Sequence, residues 1–117
     1  DLILELGLLS GKKEDIVKAQ EQKKYYPHGI GHFLGMDVHD QGMYFSKKGE
    51  PRKIEENMVF TIEPGFYIPD DDTSAPPEYR GIGVRIEDDI RVTRTGFENM
   101  TVKAPKELAD LEKIIAK

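Results

Sequence analysis

Three histidines and two glutamates carry the chemical potential of this chain. All of its histidines fall within one glycine-punctuated stretch, Pro27-His28-Gly29-Ile30-Gly31-His32-Phe33-Leu34-Gly35-Met36-Asp37-Val38-His39-Asp40. Downstream, Glu63 interrupts the β-prone run Met58-Val59-Phe60-Thr61-Ile62-Glu63-Pro64-Gly65-Phe66-Tyr67-Ile68, and Glu87 interrupts Gly83-Val84-Arg85-Ile86-Glu87-Asp88-Asp89-Ile90. Imidazole and carboxylates projecting from strands are the material of a metal site with nitrogen and oxygen ligands, a site able to bind substrate and activate water. Burying a carboxylate without a partner costs several kcal/mol. Glu63, set among Phe60, Ile62, Phe66 and Tyr67, therefore has to face something positive.

Each group also has a plainer reading. Glu63 could pair with Arg85, Glu87 could be an exposed charge on an amphipathic strand, and His28 could sit in a surface turn. His32, beside Phe33 and Leu34, and His39, between Val38 and Asp40, could be satisfied core histidines. Taken together, in this order and context, the five favour a metal site. A helical two-histidine zinc motif is excluded, because Gly29 and Gly31 separate the histidines and the motif needs a glutamate directly after its first histidine.

The elements that must position these groups follow from periodicity. Residues 1–10 read as the end of a helix broken at Ser10-Gly11, and Lys12 to Tyr25 as a second helix with Ile16, Val17 and Ala19 on its apolar face. Residues 27–42 are too rich in glycine for a helix; glycine there lets backbone pass close to a ligand or neighbouring strand. Lys47-Lys48-Gly49-Glu50-Pro51 predicts a turn. Strands are predicted over about 58–68 and 83–94, with Val59, Thr61 and Glu63 on one face of the first and Arg85, Glu87, Asp89 and Arg91 on one face of the second. Residues 69–78 read as a surface loop, 95–99 as a turn and 100–102 as a short strand. Pro105 opens a terminal helix with Leu108, Leu111, Ile114 and Ile115 on one face. That face and the leucine-rich start are both expected to dock on the sheet.

Composition sets the outer bounds. The 117 residues suffice for one domain or part of one, and a charged content of 33% against 38% hydrophobic is ordinary for a globular protein. A net charge of −5 offers no electrostatic case for nucleic acid or anionic membrane. Without cysteine there are no disulfides or thiolate ligands, which fits a cytoplasmic protein. Position 1 is not Met, and Leu2, Ile3, Leu4, Leu6, Leu8 and Leu9 crowd the opening turn; the expectation is a piece of a longer protein.

The stretches HGIGHFLGMDVHD, VFTIEPGFYI and GIGVRIEDD closely resemble the catalytic domain of the Xaa-Pro aminopeptidases, pita-bread metallopeptidases related to prolidase, creatinase and methionine aminopeptidase. The extended GMDVHD tail points to the proline peptidases. The run from Pro77 to Asp89, with Glu98-Asn99-Met100-Thr101, looks more like the aminopeptidase than prolidase. The resemblance implies an α+β fold over 1–117, the second half of a pita-bread domain: a curved, mostly antiparallel sheet with helices on its outer face. It implies His32, Glu63 and Glu87 as metal ligands, with Glu63 also accepting a proton from the attacking water. It implies His28 and His39 as catalytic groups that hydrogen-bond substrate and oxyanion, and Tyr67 and Arg85 as neighbours orienting carboxylates and substrate. Asp37 and Asp40 are left as scaffold. The implied cofactors are two divalent ions, Mn²⁺ first, with Co²⁺ or Zn²⁺ as alternatives.

The family pattern adds two upstream aspartate ligands that have no counterpart before His32, where Asp1 and Asp15 sit in helical patterns. Three ligands and a charge of −2 predict that residues 1–117 alone bind metal weakly and do not hydrolyse peptides. The whole protein is expected to act on peptides with proline at the second position and to be a homo-oligomer, without nucleic-acid or membrane partners; the isolated piece is expected to self-associate. Prolidase activity, a catalytically dead peptide-binding relative and a plain interaction domain built on ion pairs are the competing readings.

Overall fold

The computed structural model describes residues 1–116 and divides into two units, one formed by Asp1–Gly29 with Pro64–Arg85 and the other by Ile30–Glu63 with the chain from Ile86 onward. In the first unit, helix α1 (Leu2–Glu5) ends at Gly7, whose φ of 68° turns the chain back. Leu8 then enters a core with Tyr25, Ile68 and Ala75, flanked by Ile3, Leu6, Leu9, Phe66 and Tyr79. The leucine-rich start is thus packed. Helix α2 (Lys13–Ala19) buries Ile16 and leaves Val17 exposed.

The single helix predicted to Tyr25 is shorter than expected. Gln20 adopts left-handed φ and ψ of 60° and 25°, capping α2, and Glu21–Lys24 continue as a 3-10 turn. Tertiary demand overrides helical propensity here. The turn drives Tyr25 fully inside, where its hydroxyl donates to Asp72 Oδ2 at 2.8 Å. Strands β2 (Gly65–Tyr67) and β3 (Gly83–Arg85) pair antiparallel, with Phe66 opposite Val84. Between them, the acidic loop is anchored. Asp72 meets the Lys24 ammonium at 2.8 Å, and Arg80 donates twice to the Ala75 carbonyl.

The second unit holds an antiparallel sheet in the order β1 (Val59–Ile62), β4 (Asp88–Thr93), β5 (Gly96–Asn99). The β1–β4 register runs from Val59 opposite Arg91 to Ile62 opposite Asp88. The glycine-rich segment 30–34 lies antiparallel along the other edge of β1, through a Phe33–Phe60 bridge and the Leu34 N–H to Val59 carbonyl bond. Gly31 is required there, since a Cβ would collide with the Thr61 carbonyl oxygen. The predicted turn at 47–51 forms around Gly49, with Ser46 N–H donating to the Glu50 carbonyl.

Three strand readings are corrected. The two long strands predicted at 58–68 and 83–94 are each interrupted, at Glu63-Pro64 and at Ile86-Glu87. Proline has no N–H to give a ladder. The turn predicted over 95–99 is instead β5, joined to β4 through the two residues Arg94 and Thr95. Residues 100–104 are turns, because Lys106 Nζ gathers the carbonyls of Thr101 and Ala104 and the Asp88 carboxylate. Helix α3 (Leu108–Ile115) forms as an amphipathic helix but buries none of its residues, leaving Leu108 72% and Ile115 80% exposed; the expected docking of this face does not occur. The α+β class with antiparallel sheets holds.

Candidate functional site

Within the second unit, alternation along β1 places Thr61 and Glu63 on one face. The β1–β4 ladder ends at the Ile62–Asp88 rung, so Glu63 and Glu87 are the next residues on facing chains. The glycine-rich segment carries His32 to the same place. The Thr61 N–H donates to the His32 carbonyl at 2.9 Å, and the Glu63 N–H donates to the Ile30 carbonyl at 2.7 Å.

Side-chain geometry completes the group. His32 Nδ1 lies 2.9 Å from the Phe33 carbonyl oxygen. A carbonyl only accepts, so Nδ1 carries the proton, and in the neutral ring Nε2 presents its lone pair. That Nε2 is 3.3 Å from Glu63 Oε1, with the two side chains only 17% and 13% exposed. One donor atom each from His32, Glu63 and Glu87 lies within 4.8 Å of the others. Two ligands about 2.1 Å from one ion, at tetrahedral or octahedral angles, stand roughly 3.0–3.5 Å apart. The His32–Glu63 pair fits that bite. Nitrogen and carboxylate oxygen without sulfur suit a hard or borderline divalent ion.

The surroundings support the same group. His39, itself exposed, tilts its ring against His32 with centroids 4.3 Å apart. Asp40 serves as scaffold for the intervening loop, accepting the N–H groups of Met36 and Gln41. Asp37 is exposed and gives its carbonyl to the Gly35 N–H. A cavity of about 310 Å³, lined in part by Phe33, Met58, Phe60 and Ile62, borders His32 and Thr61. Asp88, next to Glu87, is held at about 2, below its ordinary value, first by Lys106 and then by Thr101 and Asn99. This clasp secures the start of β4.

The first unit assembles a separate polar trio. His28 Nδ1 donates to the Gly29 carbonyl at 2.7 Å, leaving Nε2 as acceptor 3.1 Å from the Tyr67 hydroxyl. Arg85 Nη1 reaches that hydroxyl at 3.5 Å. Gly65 permits the arrangement, because a Cβ there would press on the Tyr67 hydroxyl and His28 Nε2. Sequence reasoning missed two features. In the sequence Thr61 stands out only by its face, although a hydroxyl two residues from Glu63 in an apolar strand is a signal for its role. Asp72 falls in the predicted surface loop, and no local pattern reveals its partners.

Known proteins share this fold at 40–46% sequence identity. The model of the metallopeptidase family M24 matches residues 5–94. The Xaa-Pro aminopeptidase of Haemophilus influenzae is 43% identical over 113 residues, covering 97% of this chain and 26% of that protein. The structure of Pseudomonas aeruginosa aminopeptidase PepP superimposes with a TM-score of 0.91 at 46% identity, over 97% of this chain and 26% of the other. The zinc-substituted Escherichia coli aminopeptidase P in complex with product gives 0.86 at 40% identity, over 97% of this chain and 25% of the other. The chain therefore spans about a quarter of the length of the relatives it matches, and its fold is part of the pita-bread fold. With 90 of 117 residues inside the family match and a histidine and two glutamates converging, the chain belongs to metallopeptidase family M24.

Proposed function

We propose that the chain is the carboxyl-terminal portion of the catalytic domain of a cytoplasmic dinuclear-metal exopeptidase that cleaves the bond between an N-terminal residue and a following proline. The observation that carries this reading is the convergence of His32, Glu63 and Glu87 within 4.8 Å. His32 Nε2, Glu63 and Glu87 would hold the metal, with Mn²⁺ the first choice for a site of one imidazole and carboxylates. Two bound ions would supply the Lewis acidity that acidifies a water and polarises the scissile carbonyl.

The chain's own residues do the rest. Glu63 accepts the proton of the attacking water and passes it toward the leaving proline nitrogen. His28, with its tautomer set by Gly29 and its Nε2 facing the Tyr67 hydroxyl, hydrogen-bonds the substrate. His39 steadies His32 by ring contact and offers a hydrogen bond to the oxyanion. Arg85 and Tyr67 orient the substrate. Two carboxylates balance only part of the charge of two divalent ions, so the full set of ligands includes carboxylates outside residues 1–117.

The test is hydrolysis of a Xaa-Pro-Xaa tripeptide and a Xaa-Pro dipeptide with added Mn²⁺. Turnover of the tripeptide by the full-length protein, with none by purified 1–117, is expected. Cleavage of the dipeptide alone would make the enzyme a prolidase, and robust turnover by 1–117 would refute the requirement for outside ligands.

A further inference from the structure

The geometry points to Thr61 as the positioning residue of the metal centre: one buried hydroxyl that fixes both the backbone of His32 and the carboxylate of Glu63 before any ion arrives. The inference rests on the reading that His32, Glu63 and Glu87 bind metal.

Thr61 is 1% exposed, and it and Tyr25 are the two fully buried residues with a hydroxyl among the described residues. It lies between Phe60 and Ile62 in β1, where valine would fill the same volume without a hydroxyl to desolvate. That hydroxyl has one proton and two lone pairs. The His32 backbone N–H, 3.0 Å away, only donates, so Oγ1 accepts it. The single proton is left for Glu63 Oε1, an acceptor at 3.0 Å. The Thr61 N–H closes the set on the His32 carbonyl at 2.9 Å.

Backbone pairing alone would set the Cα positions of His32 and Glu63. It would not set the plane of the glutamate carboxylate, since the terminal torsion of Glu is broad and roughly two-fold. The Thr61 hydrogen bond holds one carboxylate oxygen and so restricts that plane. It removes freedom that an incoming ion would otherwise have to freeze, and orienting contacts of this kind tune ligand basicity and metal affinity. The same device recurs beside the third donor: Thr101 Oγ1 accepts the Asp89 N–H at 3.1 Å and donates to Asp88 Oδ1 at 2.7 Å.

The test titrates Mn²⁺ calorimetrically into the full-length protein and its T61V, T61S and T61C variants, and melts each in chelator. T61V is expected to weaken Mn²⁺ binding about 10- to 100-fold, the usual cost of losing an orienting partner, while T61S keeps wild-type affinity. If T61V does not fold, T61C takes its place, because its thiol nearly matches the shape of serine but donates weakly. Variants that melt lower without metal yet bind Mn²⁺ as tightly as wild type would reduce Thr61 to a structural residue and overturn the assignment. Wild-type protein that takes up no Mn²⁺ would instead overturn the metal reading itself, and this inference with it.

Discussion

Glu63 and Glu87 lie on facing chains, each one residue past the Ile62–Asp88 rung that ends the β1–β4 ladder. With His32 they bring donor atoms within 4.8 Å. Like charges directly opposite in an antiparallel pair repel, and a divalent cation held between them, as proposed, would be attracted to both. A ligand that binds only the folded state stabilises it by about 2.7 kcal/mol at 100 times its Kd. Mn²⁺ is therefore expected to raise the melting temperature of the full-length protein, and E87Q to abolish the rise. An E87Q protein with an undiminished Mn²⁺ shift would remove Glu87 from the ligand set.

Gly31 is a steric requirement. Its missing Cβ leaves room for the Thr61 carbonyl oxygen, and the bond from the Thr61 N–H to His32 depends on that approach. G31A is expected to cost about 1–3 kcal/mol, as overpacking does, and to weaken metal binding by displacing His32. G96A, at a position with open space around it, is the control and should change stability by about 0.5 kcal/mol or less. Urea titration compares the two; equal effects would contradict the steric account.

Tyr67 links His28 and Arg85 through one hydroxyl. Y67F keeps the ring and its edge contact with His28 but removes both hydrogen bonds. Losing one such partner costs about 1–3 kcal/mol. The expected result is a fall in kcat/KM on a Xaa-Pro-Xaa tripeptide of roughly 5- to 150-fold, with Mn²⁺ affinity unchanged. A Y67F enzyme with wild-type kinetics would take Tyr67 out of the site.

Acid and alkali should act on the Lys24–Asp72 pair in opposite directions. Lys24, helped by Ser74, holds the Asp72 carboxyl well below its ordinary 3.8. A depressed carboxyl contributes stability that is present above the unfolded value and lost as pH falls through the folded one. Asp72, and then Tyr25, raise Lys24 above 10.5. That contribution is present below 10.5 and lost as pH climbs through the raised value. The difference in melting temperature between wild type and D72N is therefore expected to be flat between the two unfolded values and to shrink outside them. A difference that persists undiminished well below pH 3.8 would show that the pair contributes nothing through its charge.

The amino-acid sequence by itself determined which groups were candidates, because imidazole and carboxylate are fixed by residue type whatever surrounds them. His32, Glu63 and Glu87, the shared face of Thr61 and Glu63, the packed leucine-rich start and the α+β class were all legible there. These follow from residue type and from the two-residue period of a strand, which are local. Pro64 marks the first break locally, but only the tertiary structure decided the break at Ile86-Glu87, where pairing with β2 ends and pairing with β1 begins. The left-handed Gln20, the burial of Asp72 under Tyr25 and Lys24, and the exposed face of α3 depend equally on partners far away in sequence. So does the work of the Thr61 hydroxyl, whose one proton has a definite destination only once His32 has been laid alongside β1.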